Sequence, residues 1–152
     1  MQEPRRKLQP YRQSLAGTLL AAREAVMAPL RPMLRDAGVT EQQWRVLRVI
    51  RDSQPIDATA LADAALLFGP SVTRILKELL DRRLIVRETD PRDRRRSIVT
   101  LTPAGRALIE HTASQTVQVL DRYAERFGPE RLEALKNELR ALIDAIGPLG
   151  ED

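Results

Sequence analysis

The chain has 152 residues, of which 43% are hydrophobic and 30% are charged. This length and balance predict one domain, residues 1–152, with its own core, and they argue against wholesale disorder. The absence of cysteine excludes disulfides, cysteine-ligated metal sites and thiol nucleophiles, and a single histidine disfavours a multi-histidine metal centre. We therefore expect no metal and no cofactor.

No run of 18 apolar residues is present, so no membrane-spanning segment is predicted. The N-terminal residues lack the pattern of a secretion signal, and we expect a cytoplasmic protein. Neither a glycine-rich phosphate loop nor a nucleophile elbow is found, so the chain is not expected to be an enzyme and no catalytic residue is assigned.

The first half of the chain has the periodicity of four helices. The first covers residues 13–36, with a kink expected at Pro29 and Pro32. The second begins with a capping-box pattern, Thr40 with Gln43, and continues to about Ser53. The third runs from Ala58 to Leu66, with Asp57 or Thr59 as its cap. The fourth runs from about Pro70 to Arg82 and carries one continuous apolar stripe.

The apolar period then changes from 3.6 to 2. Residues 84–88 and 97–101 are predicted strands, and the polar, turn-rich segment 89–96 between them predicts an antiparallel hairpin with a basic tip. Thr102-Pro103 begins a fifth helix in the order N-cap, N1, and Gly128-Pro129 separates it from a sixth.

This order predicts a mainly α fold with a small β-hairpin. Residues 37–101 would form a winged helix-turn-helix, and residues 13–36 and 102–147 would form flanking N- and C-terminal dimerisation helices. The flanking helices carry more apolar surface than the central unit needs, which favours a homodimer over a monomer with a helical cap.

Positive charge is concentrated in residues 82–96, where seven arginines and three acids give a net charge of +4. By itself such a segment is either a solvated surface or a site for a polyanion, and together with the predicted helix-turn-helix it indicates double-stranded DNA as the partner. The predicted DNA contacts on the fourth helix are Ser71, Thr73, Arg74 and Lys77. Those on the hairpin tip are Arg92, Arg94, Arg95 and Arg96. Asp90 and Asp93 are expected to shape the tip, by capping backbone N–H groups and by pairing with neighbouring arginines.

Residues 71–105 resemble the signature of MarR-type regulators. The resemblance rests on the Thr73-Arg74 pair, on the D-x-R-D-x-R pattern of residues 90–95, and on the L-T-P-A-G run that starts the fifth helix. One departure is Arg83, where the family usually has a glycine that favours positive φ, so the helix exit is expected to be altered or strained.

Residues 19–34 and 40–50 resemble the branch of that family that regulates homoprotocatechuate degradation operons. This resemblance implies a repressor of an aromatic-acid catabolic operon. A two-fold dimer would place two recognition helices about one DNA turn apart on a pseudo-palindromic operator. The alternatives are a MarR-type regulator that responds to another phenolic or drug-like ligand, and a DNA-binding protein with no small-molecule effector.

Arg23 is the main candidate for binding an aromatic acid, because it lies on an apolar helix face with Met27 and needs a negative partner. That partner is either an effector carboxylate or an acidic side chain of the protein, with Glu24 of a second copy or an aspartate as candidates. Trp44 could form an aromatic wall or belong to the core. The secondary candidates are Arg45, Arg31 and His111, of which His111 fits a helix surface or dimer interface better than a ligand contact.

Overall fold

The computed structural model describes residues 7–147, and the chain forms two compact units that divide after Thr112. In the first unit, a 3₁₀ turn at Tyr11–Gln13 precedes α1 (Leu15–Met27) and α2 (Arg31–Asp36), and a second 3₁₀ turn at Ala28–Leu30 separates the two helices. The helix predicted over residues 13–36 is thus interrupted at the expected position, near Pro29 and Pro32, and it begins two residues later than predicted, at Leu15. Pro29 and Pro32 each lie in the first turn of a new helical segment. N–H groups in a first turn make no hydrogen bond within the helix, so proline is tolerated there.

The helix-turn-helix consists of α3 (Glu41–Ser53), α4 (Ala58–Ala65) and α5 (Gly69–Asp81). The capping box predicted at the start of α3 is confirmed. Asp57, rather than Thr59, caps α4, because its Oδ1 accepts a hydrogen bond from the Ala60 backbone N–H at 2.8 Å. The predicted boundaries of these helices hold to within one residue.

The sheet has three antiparallel strands in the order β1-β3-β2, with β1 at Ile56–Asp57, β2 at Ile85–Thr89 and β3 at Ser97–Leu101. The predicted hairpin of β2 and β3 is confirmed. β1, which places Ile56 opposite Val99, was not predicted, because a two-residue strand is too short to show a period.

The core of the first unit lies between the helix-turn-helix and the sheet. α5 buries its apolar stripe there and leaves its polar face outside. The largest fully buried core side chains include Leu47, Ile50, Leu61, Ile75, Leu76, Leu79, Ile85 and Val99. Burial of this stripe fixes which face of α5 points away from the core.

The last helix of the first unit, α6 (Pro103–Phe127), begins close to the start of β2. As predicted, Thr102 caps it, with its Oγ1 accepting from the Gly105 N–H at 3.1 Å. The same hydroxyl donates to the Arg83 carbonyl at 2.7 Å. A Cβ at Gly105 would lie 2.1 Å from the Leu84 carbonyl oxygen, so this close approach requires glycine.

The second unit contains the remainder of α6 and α7 (Pro129–Ile146), which are joined at Gly128 with φ +98°. α7 buries none of its residues. Large apolar side chains are exposed along both helices of this unit, at Val117, Leu120, Phe127, Leu135, Ile143 and Ile146.

No single helix within residues 7–147 is long and apolar enough to cross a membrane. α4 and α5 reach that length and composition only together, as a pair bent by 107°.

Candidate nucleic-acid interface and arginine cluster

α5 presents a polar face to solvent, with Thr73, Arg74 and Lys77 exposed and Ser71 half-buried. The N-cap, Phe68, provides no side-chain hydrogen bond to the helix. A Cβ built at Gly69 would meet nothing within 4 Å, so the first turn is open to solvent. Backbone N–H groups at an open helix N-terminus favour an anion such as a phosphate.

Arg74 contacts two helices. Its Nη1 donates to Glu78 Oε1 at 2.9 Å within α5, and its Nη2 donates to Gln42 Oε1 at 3.3 Å on α3. The hydrogen bond from Gln43 is the largest cause that lowers the pKa of Glu78. Burial opposes it, and the hydrogen bond and charge of Arg74 add to the lowering, so the pKa lies below its ordinary value.

The tip of the β2–β3 hairpin is shaped by two aspartates. Asp90 Oδ1 accepts from the Arg92 N–H at 2.9 Å, and Asp93 Oδ1 accepts from the Arg95 N–H at 3.0 Å. Each carboxylate thus closes a short turn at its own backbone. The tip exposes its arginines, which are Arg92, Arg94, Arg95 and Arg96.

The expected ion pairs between Asp90 or Asp93 and neighbouring arginines are not formed among the described residues. The two carboxylates accept hydrogen bonds from backbone N–H groups of the tip instead. Arg96 forms its ion pair outside the hairpin tip, with Asp57 at the start of α4. The Ala60 backbone N–H, followed by Arg96, lowers the pKa of Asp57. A cleft of about 340 Å³ beside this pair is lined by Arg87, Arg95 and Arg96 together with the first residues of α4.

The candidate effector residues lie around Glu41, the first residue of α3. Arg23 forms an ion pair with Glu41, and Arg31 Nη2 and Arg45 Nη2 lie 3.7 Å and 3.4 Å from the same carboxylate. Burial raises the pKa of Glu41, but hydrogen bonding to Arg23 and the three positive charges outweigh it, so the pKa is lowered. Of the two partners considered for Arg23, the structure provides an acidic side chain of the same chain.

Arg31 also pairs with Glu24, with Nη2 2.9 Å from Glu24 Oε2. This hydrogen bond lowers the pKa of Glu24 and raises that of Arg31. We refer to the five side chains Arg23, Glu24, Arg31, Glu41 and Arg45 as the arginine cluster.

Trp44 lies one turn after Glu41 and is 6% exposed, so it belongs to the core. Its Nε1 donates to Thr112 Oγ1 at 3.3 Å, and the Arg48 guanidinium lies 4.9 Å from the ring centroid. Arg45 Nη1 also donates to the Ala65 carbonyl at the end of α4, at 3.2 Å.

The two remaining candidates differ in exposure. Met27 is half-buried. His111, which precedes Thr112 on α6, is exposed.

Several residues in these contacts were not predicted, namely Glu41, Gln42, Glu78, Arg48 and the ion-pairing role of Asp57. Three of the contacts have the i,i+4 spacing of helix neighbours: Glu41 with Arg45, Arg74 with Glu78, and Trp44 with Arg48. That spacing is visible in the sequence, whereas the contacts between helices are not. No group of His, Asp or Glu within residues 7–147 is arranged to hold a metal ion.

A recognition helix with a polar outer face, followed by a basic hairpin, defines a winged helix-turn-helix DNA-binding protein. Residues 37–96 match the model of the MarR family. The HTH-type transcriptional regulator FarR of Neisseria gonorrhoeae is 36% identical over 131 residues, which cover 84% of this chain and 90% of FarR. This chain belongs to the MarR family of transcriptional regulators.

Two further similarities are more specific. The homoprotocatechuate degradative operon repressor of Escherichia coli is 34% identical over 134 residues, covering 88% of this chain and 90% of the repressor. The crystal structure of NadR in complex with 4-hydroxyphenylacetate has a TM-score of 0.79 and 34% identity, covering 90% of this chain and 96% of NadR. The predicted fold class and the resemblance to homoprotocatechuate regulators are confirmed.

Proposed function

We propose that this regulator is a homodimeric repressor of an aromatic-acid catabolic operon, and that an aromatic carboxylate releases it from a pseudo-palindromic operator. The observation that carries the proposal is the first unit's combination of an exposed polar face on α5, a basic hairpin tip and the arginine cluster. α5 enters the major groove, where Arg74 contacts base edges, and Arg92, Arg94 and Arg95 contact phosphates or the minor groove.

Pairing of two copies is supported by the apolar side chains that each unit leaves exposed. In the first unit these include Leu15, Leu19, Leu20 and Val26 on α1. In the second unit they lie along α6 and α7, where α7 buries nothing. Exposed apolar surface of this extent is characteristic of a protein interface. A two-fold dimer requires two related half-sites in the DNA.

The charge balance of the arginine cluster supports a carboxylate ligand. Three arginines face two glutamates, which leaves one positive charge in excess. A guanidinium binds a carboxylate through two parallel hydrogen bonds, so an incoming carboxylate can share or replace the Glu41 contact of Arg23. The names of the relatives, one for a homoprotocatechuate operon and one solved with 4-hydroxyphenylacetate, favour an aromatic acid.

Release from DNA requires that the ligand binds the DNA-free state more tightly than the DNA-bound state. The test uses a duplex selected by the protein from a random library, and a panel containing 4-hydroxyphenylacetate, homoprotocatechuate and salicylate. A binder at 100 times its Kd raises the free energy of unfolding by about 2.7 kcal/mol, which identifies it in a thermal-shift measurement.

The affinity of that acid is then measured with and without the selected duplex. Weaker binding in the presence of the duplex supports the proposal. Equal affinities with and without the duplex would mean that binding of the acid and binding of DNA are not coupled, and would favour a DNA-binding protein without an effector. A response only to non-aromatic or uncharged drug-like compounds would favour a regulator with a different ligand.

A further inference from the structure

Gln43 is a buried polar residue in the first turn of α3, with 8% of its surface exposed. Its Oε1 accepts from the Thr40 backbone N–H at 3.1 Å as part of the capping box. This contact fixes which way the side-chain amide faces, because only the oxygen can accept from an N–H. The amide nitrogen therefore faces away from the cap, and Nε2 donates to Glu78 Oε2 on α5 at 2.8 Å.

The chain of hydrogen bonds continues from Glu78 to the recognition face of α5. The other carboxylate oxygen, Oε1, accepts from Arg74 Nη1 at 2.9 Å, and Gln42 Oε1 accepts from Arg74 Nη2 at 3.3 Å. Two adjacent residues of α3 thus hold Arg74, with Gln42 in direct contact and Gln43 acting through Glu78.

An isolated i,i+4 ion pair on a helix surface is weak and restrains an arginine little. Arg74 differs because its two terminal nitrogens are held by side chains of two helices, and because Glu78 is itself anchored by a buried amide. A guanidinium has five N–H donors, of which these contacts use two. Three donors remain for a base edge, so Arg74 can contact DNA while it is held.

We propose that Gln43 and Glu78 are positioning residues that hold the Arg74 guanidinium in one orientation and thereby determine how strongly α5 discriminates between base pairs. The inference rests on the proposed function, in which Arg74 contacts base edges. A side chain that is already held in its bound orientation loses less conformational entropy when it binds DNA. The gain in affinity is largest for a contact that depends on two aligned hydrogen bonds, such as an arginine with a guanine.

The decisive variant is Gln43→Glu. A glutamate at this position still completes the capping box with Thr40, so the start of α3 is retained. It replaces the Nε2 donor by an oxygen that faces Glu78, and the anchor of Glu78 is lost. Glu78→Gln is the second variant, because it keeps the side-chain length and removes the charge that holds Arg74.

Asp81→Asn is the matched control for Glu78→Gln. It removes one negative charge from the exposed surface of the same helix, outside the contacts of Arg74. It is expected to raise the affinity for every duplex by a similar factor, without changing discrimination.

Discrimination is measured as the ratio of affinities for the selected duplex and for versions with single base-pair changes. Gln43→Glu and Glu78→Gln are each expected to lower the largest of these ratios by about tenfold, which corresponds to losing part of one bidentate base contact. In the Arg74→Ala background neither variant should change the ratios further. A general loss of structure would not produce this dependence on Arg74.

The possible results separate the inference from the function on which it rests. If Arg74→Ala lowers discrimination but Gln43→Glu and Glu78→Gln do not, the inference is overturned and the proposed function stands. If both variants lower discrimination equally with and without Arg74, the inference is overturned as well. If Arg74→Ala leaves discrimination unchanged, both the inference and the assigned role of Arg74 are overturned.

Discussion

Arg96, the last residue before β3, forms an ion pair with Asp57, the residue that caps α4. One carboxylate therefore contacts the hairpin through Oδ2 and the helix backbone through Oδ1. The two roles can be separated, because asparagine is as good an N-cap as aspartate but carries no charge.

Asp57→Ala is expected to lower the free energy of unfolding by about 1 kcal/mol through loss of the cap. Asp57→Asn should lower the free energy of unfolding by less than about half of that amount, since it loses only a partly exposed ion pair. Urea unfolding at pH 7 measures both. Equal losses in the two variants would show that the ion pair, and not the cap, stabilises this junction.

Arg74→Ala and Arg94→Ala are expected to have different effects on DNA binding. Arg74 lies on the recognition face, so its loss should reduce discrimination between base pairs by about 1–3 kcal/mol. Arg94 lies on the exposed hairpin tip, so its loss should weaken binding to all sequences and reduce the salt slope by about one. Affinities for selected and scrambled duplexes at two salt concentrations check this, and the reverse pattern would exchange the two assignments.

Glu41 is expected to make stability depend on acid pH. Its pKa is lowered in the folded state, so its contribution to stability is fully present above its ordinary value of about 4.3 and is lost as the pH falls through the folded value. Glu41→Gln should therefore destabilise the protein at pH 7 and progressively less between pH 5 and pH 3. Urea unfolding across this range measures the trend.

Glu88→Gln, an exposed glutamate of β2, controls for the loss of one carboxylate. A cost of Glu41→Gln that stayed constant from pH 7 to pH 3 would mean that the three arginines do not stabilise the ionised form.

Arg83→Gly is expected to stabilise the protein by about 1 kcal/mol. Arg83 has φ +57°, in the left-handed region where a Cβ is unfavourable and glycine is not penalised. Arg83→Ala is the matched control, because it removes the same side chain but keeps the Cβ and should show no gain. Thermal unfolding of the three proteins measures the difference, and equal gains in both variants would assign the effect to the arginine side chain.

Arg23→Ala is expected to abolish the response to an aromatic acid while leaving operator affinity within about twofold. The response is lost because the variant lacks a guanidinium contact to a carboxylate, which is worth more than an ordinary hydrogen bond. Operator affinity is kept because Arg23 lies outside α5 and the hairpin. Arg12→Ala, in the exposed 3₁₀ turn before α1, is the control. Operator binding titrated with 4-hydroxyphenylacetate or homoprotocatechuate checks this. A normal response in Arg23→Ala would exclude Arg23 as a ligand residue.

Local interactions were predictable from the sequence because their spacing is fixed by the element that contains them. The capping box of Thr40 and Gln43, the Thr102 cap and the hairpin all involve residues close in the chain. The left-handed conformation of Arg83 was expected from the resemblance to MarR-type regulators, which usually have at this position a glycine that favours positive φ.

The contacts that define the candidate sites join residues far apart in the chain. Gln43 and Glu78 are separated by 35 positions, Arg96 and Asp57 by 39, and Arg23 and Glu41 by 18. No periodicity links such pairs, and each depends on how two helices, or a helix and a hairpin, pack. The sequence therefore indicated that Arg23 needs an acidic or ligand partner, but not that Glu41 provides it.

Three consecutive residues in the first turn of α3 belong to two different sets of contacts. Glu41 pairs with Arg23 of the arginine cluster, whereas Gln42 and Gln43 form hydrogen bonds with side chains of α5. If the arginine cluster binds the ligand as proposed, a substitution in this turn that adapts the protein to a new ligand is expected to alter its choice of DNA sequence as well. In the evolution of such a regulator, the choice of ligand and the choice of promoter are then expected to change together.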